Sequence, residues 1–129
     1  MNFAGLAVIA WVFGRDYPAA VWAAIGGAAM VAIGTGLLLL SPQVDWYVGL
    51  SGVLHAALAA GVVSWWRRGA RWSACLLAFA LAGKLVYEQW LGASALVAGL
   101  PVVVDAHLYG AVAGLLTALL LRAVVATDG

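Results

Sequence analysis

Four long apolar stretches dominate the chain, and short polar segments separate them. A transmembrane helix needs roughly 20 mostly apolar residues to cross about 30 Å of hydrocarbon. Each of the four stretches is long enough, so the pattern predicts an all-α polytopic bundle with four full transmembrane spans. The predicted spans are residues 18–40, 46–66, 72–90 and 102–126.

A fifth apolar stretch, residues 3–14, is too short to span a membrane. Its 12 residues make about 18 Å of helix. It fits an interfacial helix, and it equally fits the inner part of a span that begins upstream of Met1. We favour the second interpretation. Residues 1–129 then form a single membrane domain that is incomplete at its N-terminus.

Composition supports the membrane prediction and excludes other classes. Apolar residues make up 67% of the chain and charged residues 9%, whereas soluble domains are about half apolar and about a quarter charged. A net charge of +1 offers no basic surface for nucleic acid. Cys75 is the single cysteine, so it cannot form an internal disulfide, and one thiol is no metal framework. No metal and no other cofactor is expected.

The few basic residues predict the orientation of the chain. The three joints between the predicted spans are residues 41–45, 67–71 and 91–101, and only the middle joint contains arginine. The positive-inside rule places that joint in the cytoplasm. Alternation then makes five of the six basic residues cytoplasmic and leaves Lys84 inside a span. The cytoplasmic five are Arg15, Arg67, Arg68, Arg71 and Arg122.

The predicted orientation places a serine and a histidine at the same depth below the outer face of the membrane. Ser51 lies five residues inside the span that starts at Trp46, and His107 lies five residues inside the span that starts at Val102. Both are about 7.5 Å below the outer face. Polar groups inside a membrane are costly and mark candidate functional sites, and a serine beside a histidine is the arrangement that serine hydrolysis requires.

Small residues around these two positions favour close helix packing. Ser51 stands in Gly49-Leu50-Ser51-Gly52, where glycines permit a tight turn and, at a helix N-terminus, an oxyanion site. Two stripes of small residues at four-residue spacing let membrane helices approach closely. One stripe is Gly52, Ala56 and Ala60, and the other is Gly110 and Gly114.

These motifs resemble the rhomboid family of intramembrane serine proteases. Gly-Leu-Ser-Gly at 49–52 is similar to the start of the family's serine helix, and His107-x-x-Gly110-x-x-x-Gly114 is similar to its sixth core helix. Gly-Leu-Ser-Gly-Val-Leu-His at 49–55 and Val-Asp-Ala-His-Leu-Tyr-Gly at 104–110 look most like the rhombosortase subgroup. The likeness covers nearly the whole chain.

The resemblance implies a function and roles for individual residues. Ser51 would be the nucleophile and His107 the general base, with no third acid required. Asn2 would fill the oxyanion position beside Gly49, Leu50 and Gly52. The family's partner histidine for that asparagine would lie before Met1. Substrates would be transmembrane segments of proteins in a bacterial inner membrane, including C-terminal Gly-Gly-type sorting tails, cleaved at the periplasmic side.

The other intramembrane polar residues receive more modest roles. His55 lies about 6 Å deeper than His107, so we expect it to support or pack against the site. A haem held by the two histidines is an unfavoured alternative. Lys84 and Glu88 form an i,i+4 pair, and a Ser51–Lys84 dyad is the weaker choice of nucleophile and base.

Two further hypotheses and one structural role complete the predictions. The chain is alternatively a catalytically inactive rhomboid-like protein that binds membrane segments, or a small carrier that uses Lys84 and Glu88. Asp105, two residues before His107, is expected to cap the last helix at its outer end.

Overall fold

The computed structural model describes residues 2–44, 49–92 and 103–125, with no side chains described for residues 122–125. Within these ranges the chain forms five α-helices and no strand, which confirms the predicted all-α fold. The helices are α1 (Asn2–Phe13), α2 (Ala19–Leu40), α3 (Ser51–Arg67), α4 (Arg71–Leu91) and α5 (Val104–Val125).

Three of the helices are long and apolar enough to cross a membrane, and they suggest a membrane protein. They are α2, α4 and α5, the last over Val104–Leu121. Large apolar side chains cover the outside of the bundle: Trp11, Trp72, Phe79 and Trp90 are each more than 80% exposed. Such a surface suits a hydrocarbon solvent, in which the backbone N–H and C=O groups must find their hydrogen-bond partners within the protein.

The fourth predicted span, residues 46–66, is not confirmed. Helix α3 begins only at Ser51, and its 17 residues make about 26 Å of helix. Residues 45–48 lie outside the described part of the chain. Helix α3 packs against each of the other four helices, so it does not have to present a full apolar length to lipid. Helix α1, with 12 residues, matches the short predicted stretch.

The arginine-containing segments meet at one end of the bundle. Asp16, between α1 and α2, forms a 3.0 Å ion pair with Arg68, and its other carboxylate oxygen accepts a hydrogen bond from Ser64 Oγ at 2.7 Å. Gly69, with φ of +83°, makes the turn from α3 into α4. The α1–α2 and α3–α4 joints therefore share one end, as the alternation of spans requires.

A buried hydrogen-bonded group joins α2 to α5 at the opposite end. Ser41, only 1% exposed, donates to Asp105 Oδ2 at 2.6 Å. Because its hydroxyl has a single hydrogen, Ser41 accepts from the Tyr109 hydroxyl at 2.9 Å. Asp105 is the second residue of α5, and it bonds to Ser41, the residue that directly follows α2. The expectation that Asp105 caps α5 is therefore wrong, because it lies inside the helix and not before its first residue. Its negative charge still lies at the positive end of the helix dipole.

Glycines bring α3 and α5 into backbone contact. A β-carbon added at Gly110 would lie 2.0 Å from Gly52 O, and one added at Gly114 would lie 2.2 Å from Ala56 O. No side chain larger than hydrogen fits at either position without moving a helix. The two predicted stripes of small residues are thus the surfaces on which these helices meet.

Candidate active site

The structure places Ser51 against His107. Ser51 is the first residue of α3 and His107 the fourth residue of α5, and both helices begin at the same end of the bundle. Ser51 Oγ lies 3.0 Å from His107 Nε2. The His107 side chain is almost fully buried, and Ser51 is partly buried. The two residues that the sequence put at matched depth are therefore within hydrogen-bond distance.

Glu88 of α4 completes a line of three residues. Its Oε2 lies 2.8 Å from His107 Nδ1, the ring nitrogen that does not face Ser51. Glu88 is 6% exposed. The sequence predicted its pairing with Lys84, which is present, but not its contact with His107. A clue was available, because the depth estimated for His107 falls between those of Glu88 and Lys84.

A second branch runs from Lys84 back to the serine. Besides Glu88, Lys84 Nζ contacts His55 Nε2 at 3.0 Å. The other nitrogen of this ring, His55 Nδ1, lies 2.6 Å from the backbone oxygen of Ser51. Lys84 is thus engaged with His55 and Glu88, whereas the Ser51 hydroxyl is engaged with His107. This arrangement favours His107 over Lys84 as the partner of the serine.

The charges in this network determine the direction of every hydrogen bond. With Lys84 as an ammonium, which only donates, His55 Nε2 must accept, and His55 Nδ1 donates to the Ser51 carbonyl. With Glu88 as a carboxylate, which only accepts, His107 Nδ1 carries the proton. The lone pair of His107 Nε2 therefore points at the Ser51 hydroxyl, which is the tautomer that a general base needs.

The two histidine rings are stacked, with centroids 4.2 Å apart and planes 12° from parallel. The predicted depth difference of about 6 Å is therefore wrong. That prediction counted only the backbone rise of about 1.5 Å for each residue, whereas the direction of each side chain also determines where its ring lies. Imidazoles that ligate a haem iron approach it from opposite sides of the porphyrin, which rings stacked face to face cannot do.

The remaining predicted site residues lie around the start of α3 or away from it. Gly49 and Leu50 directly precede the helix, and Leu50 O accepts a hydrogen bond from Leu54 N at 3.0 Å. Gly52 packs against α5. Asn2 is exposed at the start of α1 and has no place in the hydrogen-bond network of the described residues.

Three residues of the site also have the composition of a metal site. His55, Glu88 and His107 each offer one ligand atom, and these atoms lie within 4.8 Å of one another. Two imidazole nitrogens and a carboxylate are suitable ligands for zinc and its neighbours among the first-row metals. This grouping was not foreseen in the sequence, because its members come from three different helices.

Comparisons with protein families, with curated proteins and with solved structures found no match. The likeness to rhomboid proteases therefore remains one of motifs and their spacing.

Proposed function

We propose that this protein is an intramembrane serine endopeptidase that uses Ser51, His107 and Glu88. The observation that carries the proposal is the continuous hydrogen-bonded line from the Ser51 hydroxyl through both ring nitrogens of His107 to Glu88. Three helices contribute one residue each to this line. Nucleophile, base and orienting carboxylate in hydrogen-bond contact are the geometric signature of serine hydrolases on unrelated folds.

In the proposed reaction each of the three residues has its own role. Ser51 Oγ attacks the carbonyl carbon of a peptide bond while its proton moves to His107 Nε2. Glu88 holds the ring through Nδ1 and stabilises the imidazolium that forms. His107 then gives the proton to the leaving amine, which breaks the C–N bond and leaves an ester on Ser51. Water, activated by the same ring, hydrolyses the ester and releases the new carboxyl terminus.

The start of α3 supplies positive potential where negative charge develops. Ser51 is the first residue of this 17-residue helix, so the positive end of the helix dipole lies beside the hydroxyl. Dipoles fixed in advance stabilise an oxyanion more effectively than mobile water does. This contribution comes from α3 itself, whereas Asn2, the position that the resemblance suggested, is not in the network.

The position of the site within the bundle indicates which substrates reach it. Ser51 and His107 lie at the end opposite the Asp16–Arg68 ion pair, and no lysine or arginine occurs in residues 41–50 or 91–103. By the positive-inside rule this is the outer end. We therefore propose cleavage of transmembrane segments near the periplasmic face of a bacterial inner membrane, with Gly-Gly-type sorting tails as the first candidates.

A fluorophosphonate probe on the detergent-purified chain tests the proposal. We expect Ser51 to be labelled, Ser51→Ala to abolish labelling, and Ser73→Ala to leave it unchanged, because Ser73 is an exposed serine of α4. Labelling that persists in Ser51→Ala would contradict the proposal. If the chain is not labelled but retains a tail-anchored reporter on co-purification, the inactive binding protein is the better description.

A further inference from the structure

One part of the candidate site already holds a cation. We call its five connected residues the active-site cluster: Ser51, His55, Lys84, Glu88 and His107. Lys84 Nζ bridges His55 Nε2 and Glu88 Oε1, so its ammonium lies between two of the three residues whose ligand atoms converge. The side chain of Glu88 is 8% exposed, whereas that of Lys84 is 41% exposed. His55, Glu88 and His107 are buried in the bundle, whereas the cation is carried by a long side chain that is partly exposed.

The three ligand atoms are close enough together to bind one metal ion after small side-chain movements. In a tetrahedral zinc site the nitrogen and oxygen ligands lie about 2.0–2.1 Å from the metal, and neighbouring ligand atoms lie about 3.4 Å from one another. The present separations are at most 4.8 Å, so a contraction of side chains suffices. The two imidazoles must also open from their 12° stacking to aim at one ion. Opening the stack costs free energy, so we expect micromolar rather than structural affinity.

A metal on this cluster would stop the chemistry proposed for Ser51. Coordination through His107 Nδ1 requires the lone pair of that nitrogen, so the proton that Nδ1 now donates to Glu88 moves to Nε2. A ring protonated at Nε2 cannot accept the proton of Ser51. The metal also takes the carboxylate of Glu88 away from the ring. Three metal–ligand bonds form, one proton moves from Nδ1 to Nε2 of His107, and Lys84 leaves as an ammonium.

We propose that His55, Glu88 and His107 form an inhibitory binding site for a divalent first-row metal ion of the zinc type, which enters by displacing the Lys84 ammonium. The inhibition rests on the proposed serine chemistry, but the binding does not. The site is regulatory: it is filled by lysine when the enzyme is active and by metal when it is silenced.

Binding is measured with Co²⁺, whose visible absorption reports tetrahedral nitrogen and oxygen ligands, and with Zn²⁺ by titration calorimetry. Cys75 is exposed and its thiol binds zinc, so all proteins carry Cys75→Ser. We expect His55→Gln to weaken binding by at least about tenfold, because it removes one of the two imidazole ligands. Lys84→Met removes the competing cation, so we expect the same titrations to show tighter binding than in the protein that keeps Lys84.

Labelling and binding separate the two proposals. Zn²⁺ should block fluorophosphonate labelling of the unaltered site and EDTA should restore it, whereas Ser51→Ala should bind Co²⁺ unchanged. If the chain with Ser51 intact binds Co²⁺ but is never labelled, the serine chemistry is contradicted and the metal site stands. Absence of metal binding, or binding that His55→Gln and Lys84→Met leave unaltered, would overturn the metal site whatever the labelling shows.

Discussion

Glu88 is a carboxylate almost completely enclosed by an apolar bundle, and its surroundings explain how it is tolerated. A lone charge there would be very costly, but each of its oxygens has a donor, Lys84 for one and His107 for the other. A structural ion pair would need only Lys84. The second contact, which fixes the tautomer of His107, is the one on which the proposed role of Glu88 rests.

Replacing Glu88 by glutamine should slow the reaction of Ser51 far more than it alters the fold. The amide keeps the shape of the side chain but cannot stabilise an imidazolium, and its NH₂ favours the wrong tautomer of His107. We expect the rate of fluorophosphonate labelling to fall by about 10³–10⁴-fold. Gln89→Ala, at the exposed neighbouring position, serves as the control and should label normally. Equal rates for Glu88→Gln and the unaltered chain would remove Glu88 from the mechanism.

At the scale of elements, the site depends on the contact between α3 and α5. Ser51 and His107 meet at 3.0 Å only because hydrogen is the side chain at Gly110 and Gly114, next to backbone oxygens of α3. In lipid there is little hydrophobic driving force between helices, so close van der Waals packing holds them together. Close packing of this helix pair and the geometry of the proposed site therefore depend on the same residues.

Gly110→Ala should therefore impair both stability and labelling. Its methyl would lie 2.0 Å from Gly52 O, and moving the helices apart should cost about 1–3 kcal/mol while stretching the Ser51–His107 contact. Gly34→Ala is the matched control, because nothing lies within 4 Å of an added β-carbon there. It should leave labelling intact and, by helix propensity, stabilise slightly. Thermal unfolding in detergent and labelling rates measure both effects, and a fully active, stable Gly110→Ala protein would refute this dependence.

At the scale of the whole molecule, the bundle has two chemically different ends. One contains the Asp16–Arg68 ion pair and the arginine-rich α3–α4 turn. The other contains Ser41 bonded to Asp105 and the active-site cluster. A chain with this asymmetry should insert in one orientation, with the cluster outside.

Cysteine accessibility in intact cells checks this orientation. In a Cys75→Ser background, Gln43→Cys lies at the end of the active-site cluster and Ala70→Cys at the arginine end, and both positions are exposed. A membrane-impermeant maleimide should label Gln43→Cys in intact cells, and Ala70→Cys only after lysis. The reverse pattern would place the cluster in the cytoplasm and rule out periplasmic substrates.

Hydropathy along the chain was sufficient to predict helices and their approximate bounds, because a segment that crosses lipid must satisfy its own backbone and present apolar side chains. It predicted a longer helix α3 than Ser51–Arg67. The other four helices pack against α3, so this helix does not need a full apolar length facing lipid. Depth counting brought Ser51 to His107 but separated the rings of His55 and His107, which are stacked, because it counted backbone rise and ignored side-chain direction.

The sequence by itself was enough to predict a membrane environment, an all-helical fold and the polar residues that stand out within it. Composition and the lengths of the apolar stretches can be read directly along the chain. Only the tertiary structure decided which polar groups share protons. The contacts of Glu88 with His107 and of Lys84 with His55 join residues on different helices, 19 and 29 positions apart. Helix rotation and crossing determine such contacts, and these depend on how glycine-lined surfaces pack together.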